Sequence, residues 1–161
     1  MSQEQRERLP VNVSAAVFIE DDQGRLLLLQ QEAESKGRKW GPPAGKMQAH
    51  ENPIDTALRE TKEEIGVEVE LVDLIGVYTV DRGDTSSGMT FWFRGKIIGG
   101  EISPRKGEIM NYRFFTPKEI EKLIKEDGLY KPEYNIAGIN SWLKGSSCPL
   151  DVIKPLNSSA I

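Results

Sequence analysis

Cysteine and histidine are nearly absent from this chain: Cys148 and His50 are its only examples. One cysteine excludes an internal disulfide and a cysteine-rich zinc site, and one histidine excludes a histidine metal cluster. A Ser-His-Asp triad resting on this single loop histidine is not expected, and His50 reads as a solvent-facing residue. Apolar runs long enough to cross a membrane, about 20 residues, are missing too. The start of the chain, MSQEQRERLP, lacks the apolar region of a secretory signal, so a cytoplasmic location is expected. Nor is there an excess of positive charge. A net charge of -4 and a pI near 5.2 argue against a general nucleic-acid binder. Catalysis, if present, has to rest on carboxylates.

What is present is a mixed order of strands and helices in one domain-sized chain of 161 residues. Val11, Val13, Ala15, Val17 and Ile19 alternate with Asn12, Ser14 and Ala16, the pattern of a half-buried strand. Asp21 to Gly24 forms a turn, and Arg25 to Gln30 returns as a second strand. A polar loop, Glu32 to Lys39, follows. Beyond the central helix come an extended segment from Val67 to Val80, a flexible loop from Asp81 to Gly88, and a strand from Met89 to Lys96. Tyr112 to Phe115 reads as a short strand, and Thr116-Pro117-Lys118-Glu119 as a capping box opening a helix to about Glu126. A third helical piece runs from about Pro132 to Leu143. This divides the chain into an N-terminal extension (1–10), one domain (11–143) and a C-terminal tail (144–161) read as extension or disorder.

The most informative stretch is GKMQAHENPIDTALRETKEEIGV, Gly45 to Val67. Asn52-Pro53 starts a helix, because Asn caps free amide groups and Pro suits the first helical position. Ile54, Ala57, Leu58 and Ile65 make an apolar stripe, and Gly66 ends the run. Glu60, Glu63 and Glu64 then lie together beside that stripe, and like charges at this spacing repel by roughly 0.2–0.5 kcal/mol per pair. Lys62 is not on that face to relieve them. A hard divalent cation would, since magnesium takes oxygen ligands and bridges to phosphates. An E-x-x-E-E run alone is usually a solvated acidic face; Gly45, Glu51 and Arg59 at fixed spacing turn the reading toward a site. Arg59 can clamp Glu51 bidentately and tie the preceding loop to the helix. Gly45 suits a tight loop whose carbonyl can approach a metal.

These residues resemble the signature of the Nudix hydrolases, G-x5-E-x7-R-E-U-x-E-E-x-G-U with U apolar. Seven such identities arise by chance on the order of once in 10⁸ to 10⁹ starting positions. Thr61 replaces the first apolar residue, and Pro-Ala-Gly precedes the box where many members have Pro-Gly-Gly. The resemblance implies an α/β fold, the Nudix α/β/α sandwich with a mixed β-sheet between helices, from about Val11 to Leu143. It implies Glu60 and Glu64 as principal metal ligands, Glu63 as a third or water-mediated one, and the Gly45 carbonyl beside them. Arg59 would be structural. A further carboxylate outside the box would be Glu108, with Glu101 as substitute, and Asn111 stands where another acid is frequent.

The implied reaction is hydrolysis of a pyrophosphate in a nucleoside diphosphate linked to another group, with Mg2+ (Mn2+ as substitute) as cofactor. Bridging cations neutralise phosphate charge and a carboxylate takes the proton of the attacking water, with Glu60, Glu63 and Glu108 all eligible. Lys46, Arg38 and Arg82 are candidate phosphate contacts, and Lys39 a weaker one. Trp40, Tyr78, Phe91 and Trp92 are candidates for stacking on a base. The sequence lacks the features of several subfamilies: the proline past the box of many ADP-ribose hydrolases, the NADH pyrophosphatase patch and the coenzyme A motif. The expected substrate is therefore a nucleoside triphosphate or modified nucleotide, cleaved to the monophosphate. An ADP-ribose or nucleotide-sugar pyrophosphatase is the alternative, and a non-catalytic nucleotide sensor the third reading. The expected partner is a small nucleotide, with no stable nucleic acid, no membrane and a homodimer as the family's common assembly. Cys148 supports no redox role.

Overall fold

A computed structural model describes residues 10–83 and 85–156. The N-terminal extension through residue 9, Asp84 of the expected flexible loop and the tail from residue 157 lie outside the described residues. The elements run β1 (Val11–Ile19), β2 (Leu26–Gln31), β3 (Trp40–Gly41), β4 (Ala44–Lys46), α1 (Pro53–Ile65), β5 (Glu68–Asp81), β6 (Ser87–Gly99), β7 (Ile109–Phe115), α2 (Pro117–Lys125) and α3 (Pro132–Leu143). One sheet has the order β4-β1-β6-β5 and a second the order β3-β2-β7. β1 and β6 run parallel while the other neighbours are antiparallel, which makes the larger sheet mixed.

Both faces of this β framework are covered. Ala15, Val17 and Ile19 of β1 join Leu27 and Leu29 of β2 in a core closed by Ala57 and Ile65 of α1. Ala16 and Phe18 point the other way, joining Leu26, Leu28 and Trp92 under Ile120 of α2 and Ile139 and Trp142 of α3. The result is a helix–sheet–helix sandwich, as the fold expectation held. β1 departs from its half-buried reading, because Ala15 to Ile19 are buried on both faces. Its even positions meet α3 rather than water.

α1 is fixed at both ends by its sequence. The Asn52 side chain accepts from the amides of Ile54 and Asp55, and Asp55 accepts in return from Asn52 N–H at 3.2 Å. Gly66 adopts φ +76°, a left-handed conformation open to glycine at little cost, and its N–H donates to the Lys62 carbonyl. The apolar stripe uses Ile54, Ala57, Thr61 and Ile65, whereas Leu58 is exposed. Thr61 packs there because its hydroxyl donates to the Ala57 carbonyl at 2.9 Å.

The tail also differs from its reading. Leu74 and Cys148 exchange backbone hydrogen bonds of 2.9 and 2.7 Å, and Leu150 and Ile153 pack against the α1-side core. An edge strand with open amides and two apolar residues is enough to hold a segment that has no period of its own. Among the described residues, no helix is long and apolar enough to cross a membrane.

Candidate active site

The site forms where β4 lies against α1. β4 pairs with β1 at Ala44–Ala16, Gly45–Ala15 and Lys46–Ser14, which lays Gly45 on the Glu60 side chain. A Cβ at position 45 would collide with the Glu60 carboxylate, so only glycine lets backbone and acid come this close. The ridge of carboxylates along α1 is braced by Arg59. Its Nε donates to Glu51, its Nη2 to Glu51 at 3.0 Å and to the Lys46 carbonyl at 3.0 Å, and its Nη1 to Glu60 at 2.7 Å and Glu63 at 3.3 Å. Glu51 also accepts from the Gln48 amide at 3.0 Å and the Thr56 hydroxyl at 2.8 Å. The Arg59 bond above all holds the Glu51 carboxyl down at about 2, and Arg59 in turn is held firmly protonated. One arginine thus staples loop, β4 and helix together.

The catalytic candidates sit in the opposite electrostatic situation. Burial pushes the Glu64 carboxyl up to about 8, with the charges of Glu60 and Glu108 adding to it and the Ala44 N–H, at 3.2 Å, opposing it. Burial also raises Glu60, against the pull of Arg59. Glu108 is placed by the loop after β6, which is tied to the end of α1 through Ser103 N–H to Ile65 and Arg105 N–H to Glu64, both 2.8 Å. Glu108 itself is half exposed, with Arg105 at 3.5 Å. The structure therefore brings Gly45, Glu60 and Glu64 together, with Glu108 within electrostatic reach. Glu63 points outward to Arg59. Glu101 is exposed, and Asn111 on β7 accepts from the Tyr112 amide. Among the described residues, no three acidic, histidine or cysteine side chains converge as a finished ligand set.

Glu64 and Gly45 open into a cavity of about 340 Å³. Of the expected phosphate contacts, Lys46 and Arg82 line it; Arg38 lies outside, paired with Glu34 at 3.3 Å, and Lys39 pairs with Asp127 at 2.7 Å. Arg82 is held by the Tyr134 hydroxyl at 2.6 Å. Of the four aromatics, Trp92 lines the cavity, while Trp40, Tyr78 and Phe91 pack into the two cores. His50 is exposed in the loop.

The sequence reading missed Lys36, Lys131, Tyr130, Tyr134 and Asn135, all of which line the cavity. Two of these, Tyr134 and Asn135, come from the first turn of α3, and two, Tyr130 and Lys131, from the residues just before it. That segment is pinned over the site by Trp40 N–H to Gly128 at 2.9 Å and Tyr130 N–H to Trp40 at 2.8 Å. The local signal was only Pro132 as a helix start; the placement is a pairing across about ninety residues of chain, which no periodicity reports.

The family model described as the NUDIX domain matches residues 10–134. A MutT-like protein of Streptomyces ambofaciens is 30% identical over 128 residues, which are 78% of this chain and 79% of that protein. In fold, a NUDIX hydrolase from Nitrosomonas europaea superposes with a TM-score of 0.78 at 24% identity, covering 92% of this chain and 99% of that one. The MutT protein of Methanosarcina mazei gives 0.68 at 21%, covering 86% and 97%. The two solved structures carry the same helix–sheet–helix fold as this chain. The chain belongs to the NUDIX family.

Proposed function

We propose that this protein hydrolyses a nucleoside triphosphate or a modified nucleotide to the monophosphate, with Mg2+, or Mn2+ in its place, held by Glu60, Glu64 and the Gly45 carbonyl. One observation carries the substrate reading. The cavity that contains Glu64 and Gly45 is also lined by four cationic side chains, Lys36, Lys46, Arg82 and Lys131. A wall of that charge suits a triphosphate better than the less highly charged diphosphate of ADP-ribose or a nucleotide sugar.

The donor set fits a hard divalent ion. Glu60 and Glu64 offer carboxylate oxygens whose protonation is favoured by burial, Glu60 shares its one cation, Arg59, with Glu51 and Glu63, and the bare Gly45 backbone adjoins Glu60. Such an ion, when bound, supplies neutralisation of phosphate charge and a more acidic attacking water. The protein's own contributions follow from placement. Arg59 fixes β4 against α1, Lys46 and Lys36 meet phosphate oxygens, and Arg82 steadies the outer end. We assign Glu108 as acceptor of the water's proton, since its charge reaches both buried acids, whereas Glu63 is tied to Arg59. The water oxygen bonds to phosphorus, the bridging oxygen leaves with its electron pair, and the proton passes to a Glu108 carboxylate oxygen.

The test is product analysis over a panel of nucleoside triphosphates, oxidised dGTP, ADP-ribose, nucleotide sugars and a dinucleoside polyphosphate, with magnesium and with chelator. Magnesium-dependent release of a nucleoside monophosphate from a triphosphate is expected. Turnover confined to ADP-ribose or a nucleotide sugar would overturn the substrate reading, and tight nucleotide binding without turnover would make the protein a sensor.

A further inference from the structure

We infer that the turn Arg105-Lys106-Gly107-Glu108 is a positioning device, and that Gly107 at its corner aims the Glu108 carboxylate at the acids of α1. This rests on the reading of Glu108 as proton acceptor given above. The turn begins on α1 itself. Arg105 N–H donates to the Glu64 carbonyl at 2.8 Å, which ties the turn to the backbone of a proposed metal ligand. The Arg105 carbonyl then accepts from Glu108 N–H at 3.3 Å and from Ile109 N–H at 3.0 Å, closing the turn. Its far end is anchored as well. The Glu108 carbonyl accepts from Glu32 N–H at 2.8 Å, and Ile109 is buried in the α1-side core. Both backbone polar groups of Glu108 are thus engaged, although its side chain is half exposed.

Two conformational features set the direction of the side chain. Gly107 adopts φ +85°, a left-handed conformation that glycine takes freely and β-branched residues resist. Directly after Glu108, β7 sets two residues against one of β2. Gln31 pairs with Ile109 and Gln30 with Asn111, so Met110 is the extra residue of a β-bulge. Bulges redirect side chains and are frequent beside active sites. The Arg105 side chain, 3.5 Å from Glu108, makes an exposed ion pair of small worth, so the backbone frame is what holds the acid. The placement matches the use, since the Glu108 charge is felt at both Glu60 and Glu64. A Cβ on residue 107 would meet nothing within 4 Å. Substitution there adds no collision and changes only which backbone conformations are open, so it probes the turn alone.

The test is steady-state hydrolysis of ATP, GTP, CTP, UTP and their deoxy forms, each with magnesium, by the full chain. Wild type is compared with Gly107→Val, Gly107→Asn, Glu108→Gln and the double variant Gly107→Val/Glu108→Gln. Gly107→Val is expected to lower kcat about 10–100-fold with KM within about threefold, because moving a reacting group by on the order of 1 Å costs about that much. Gly107→Asn tolerates the left-handed conformation and is expected to stay within about threefold of wild type. The double variant is expected to fall no further than Glu108→Gln, since no acceptor is left to position. Gly107→Ala carries the strain in milder form, and should show a smaller kcat loss at a melting temperature near that of wild type. Wild-type kcat in the Val and Ala variants, equal losses in Val and Asn, or a loss that multiplies with that of Glu108→Gln would overturn the inference and leave the reaction standing. Full activity in Glu108→Gln, or no triphosphate turnover by wild type, would instead remove the underlying reading and the inference with it.

Discussion

Two arginines of this fold sit among carboxylates at similar depth, Arg59 on α1 and Arg94 on β6, and they do different things. Arg94 meets Glu20 at 3.0 Å and Asp73 at 3.3 Å. Each of those acids has a further neutral donor, Trp142 Nε1 to Glu20 and Ser147 Oγ to Asp73, both 3.0 Å. The cluster links β1, β5, β6, α3 and the tail, and its acids are satisfied. Arg59 meets Glu51, Glu60 and Glu63, with Glu64 and Glu108 beyond it. One guanidinium cannot balance that many acids, and the surplus charge faces the cavity. An arginine–carboxylate cluster is cohesive where donors match acceptors and is left with surplus negative charge where they do not, the charge that the proposed cation would meet.

The sharpest way to break the comparison is to remove the surplus. Glu64→Gln is expected to lower turnover by about 10³-fold or more, because it deletes a proposed ligand without changing shape. The metal-free variant should melt no lower than wild type, since a repelled carboxylate has gone. Turnover of the variants by phosphate release, read beside thermal melts in chelator, checks both halves. A large fall in stability would make Glu64 a structural residue like those around Arg94.

The same surplus sets a pH dependence. Glu64 is held at about 8 in the fold by burial, above its ordinary value of 4.5. The folded state therefore binds the proton more tightly than the unfolded chain, and its stability is greater where the group is protonated. Metal-free wild type should lose stability as pH climbs from about 5 to 8, and Glu64→Gln should flatten that slope. Magnesium competes with the proton, so its stabilising effect should grow over the same window. Melting curves from pH 5 to 9, with and without magnesium, report this; equal slopes in wild type and variant would contradict it.

On the other side of the comparison, Arg94→Met leaves Glu20 and Asp73 facing each other without their cation. A loss of about 1–3 kcal/mol is expected for this partly buried cluster, with kcat within about twofold of wild type. Denaturant unfolding and steady-state kinetics on one preparation decide it. A kcat loss comparable to that of Glu64→Gln would mean that the two clusters are coupled.

How much of this could be read in the sequence follows the same division. The Arg59 cluster was legible because it is local: Glu51, Arg59, Glu60, Glu63 and Glu64 fall within one helix and its cap, where spacing fixes direction. Most strands and helices were legible for the same reason, whereas the sandwich they build came from the resemblance carried by Gly45 to Val67. The Arg94 cluster was not, since Glu20, Asp73 and Ser147 meet only after β1, β5 and the tail have assembled. Ala16 was read with Asn12 and Ser14 as the open side of a half-buried strand, yet it lies, with Phe18, under a helix more than a hundred residues later. The cavity wall mixes both cases: Lys46 follows Gly45 in the chain, but Tyr134 and Asn135 arrive through the bond between β3 and the residues before α3.

The smallest effect separates two cations that sequence distance cannot rank. Arg38 and Lys36 flank the same turn before β3, and both are candidates for meeting phosphate by charge alone. Lys36 lines the cavity, is held by Gln31 Oε1 at 3.1 Å and lies 5.6 Å from the centre of the Tyr130 ring. Its charge also reaches Glu64. Arg38 adopts φ +50° and turns to Glu34 outside the wall. A cation already positioned by neutral partners loses little freedom on meeting phosphate, so Lys36→Met should raise KM for a triphosphate about 3–10-fold, with a smaller change in kcat. Arg38→Met removes an exposed ion pair and should leave KM within about twofold. Equal responses would mean that the wall acts through its overall field rather than through named contacts, and raising the salt concentration would then erase both effects together.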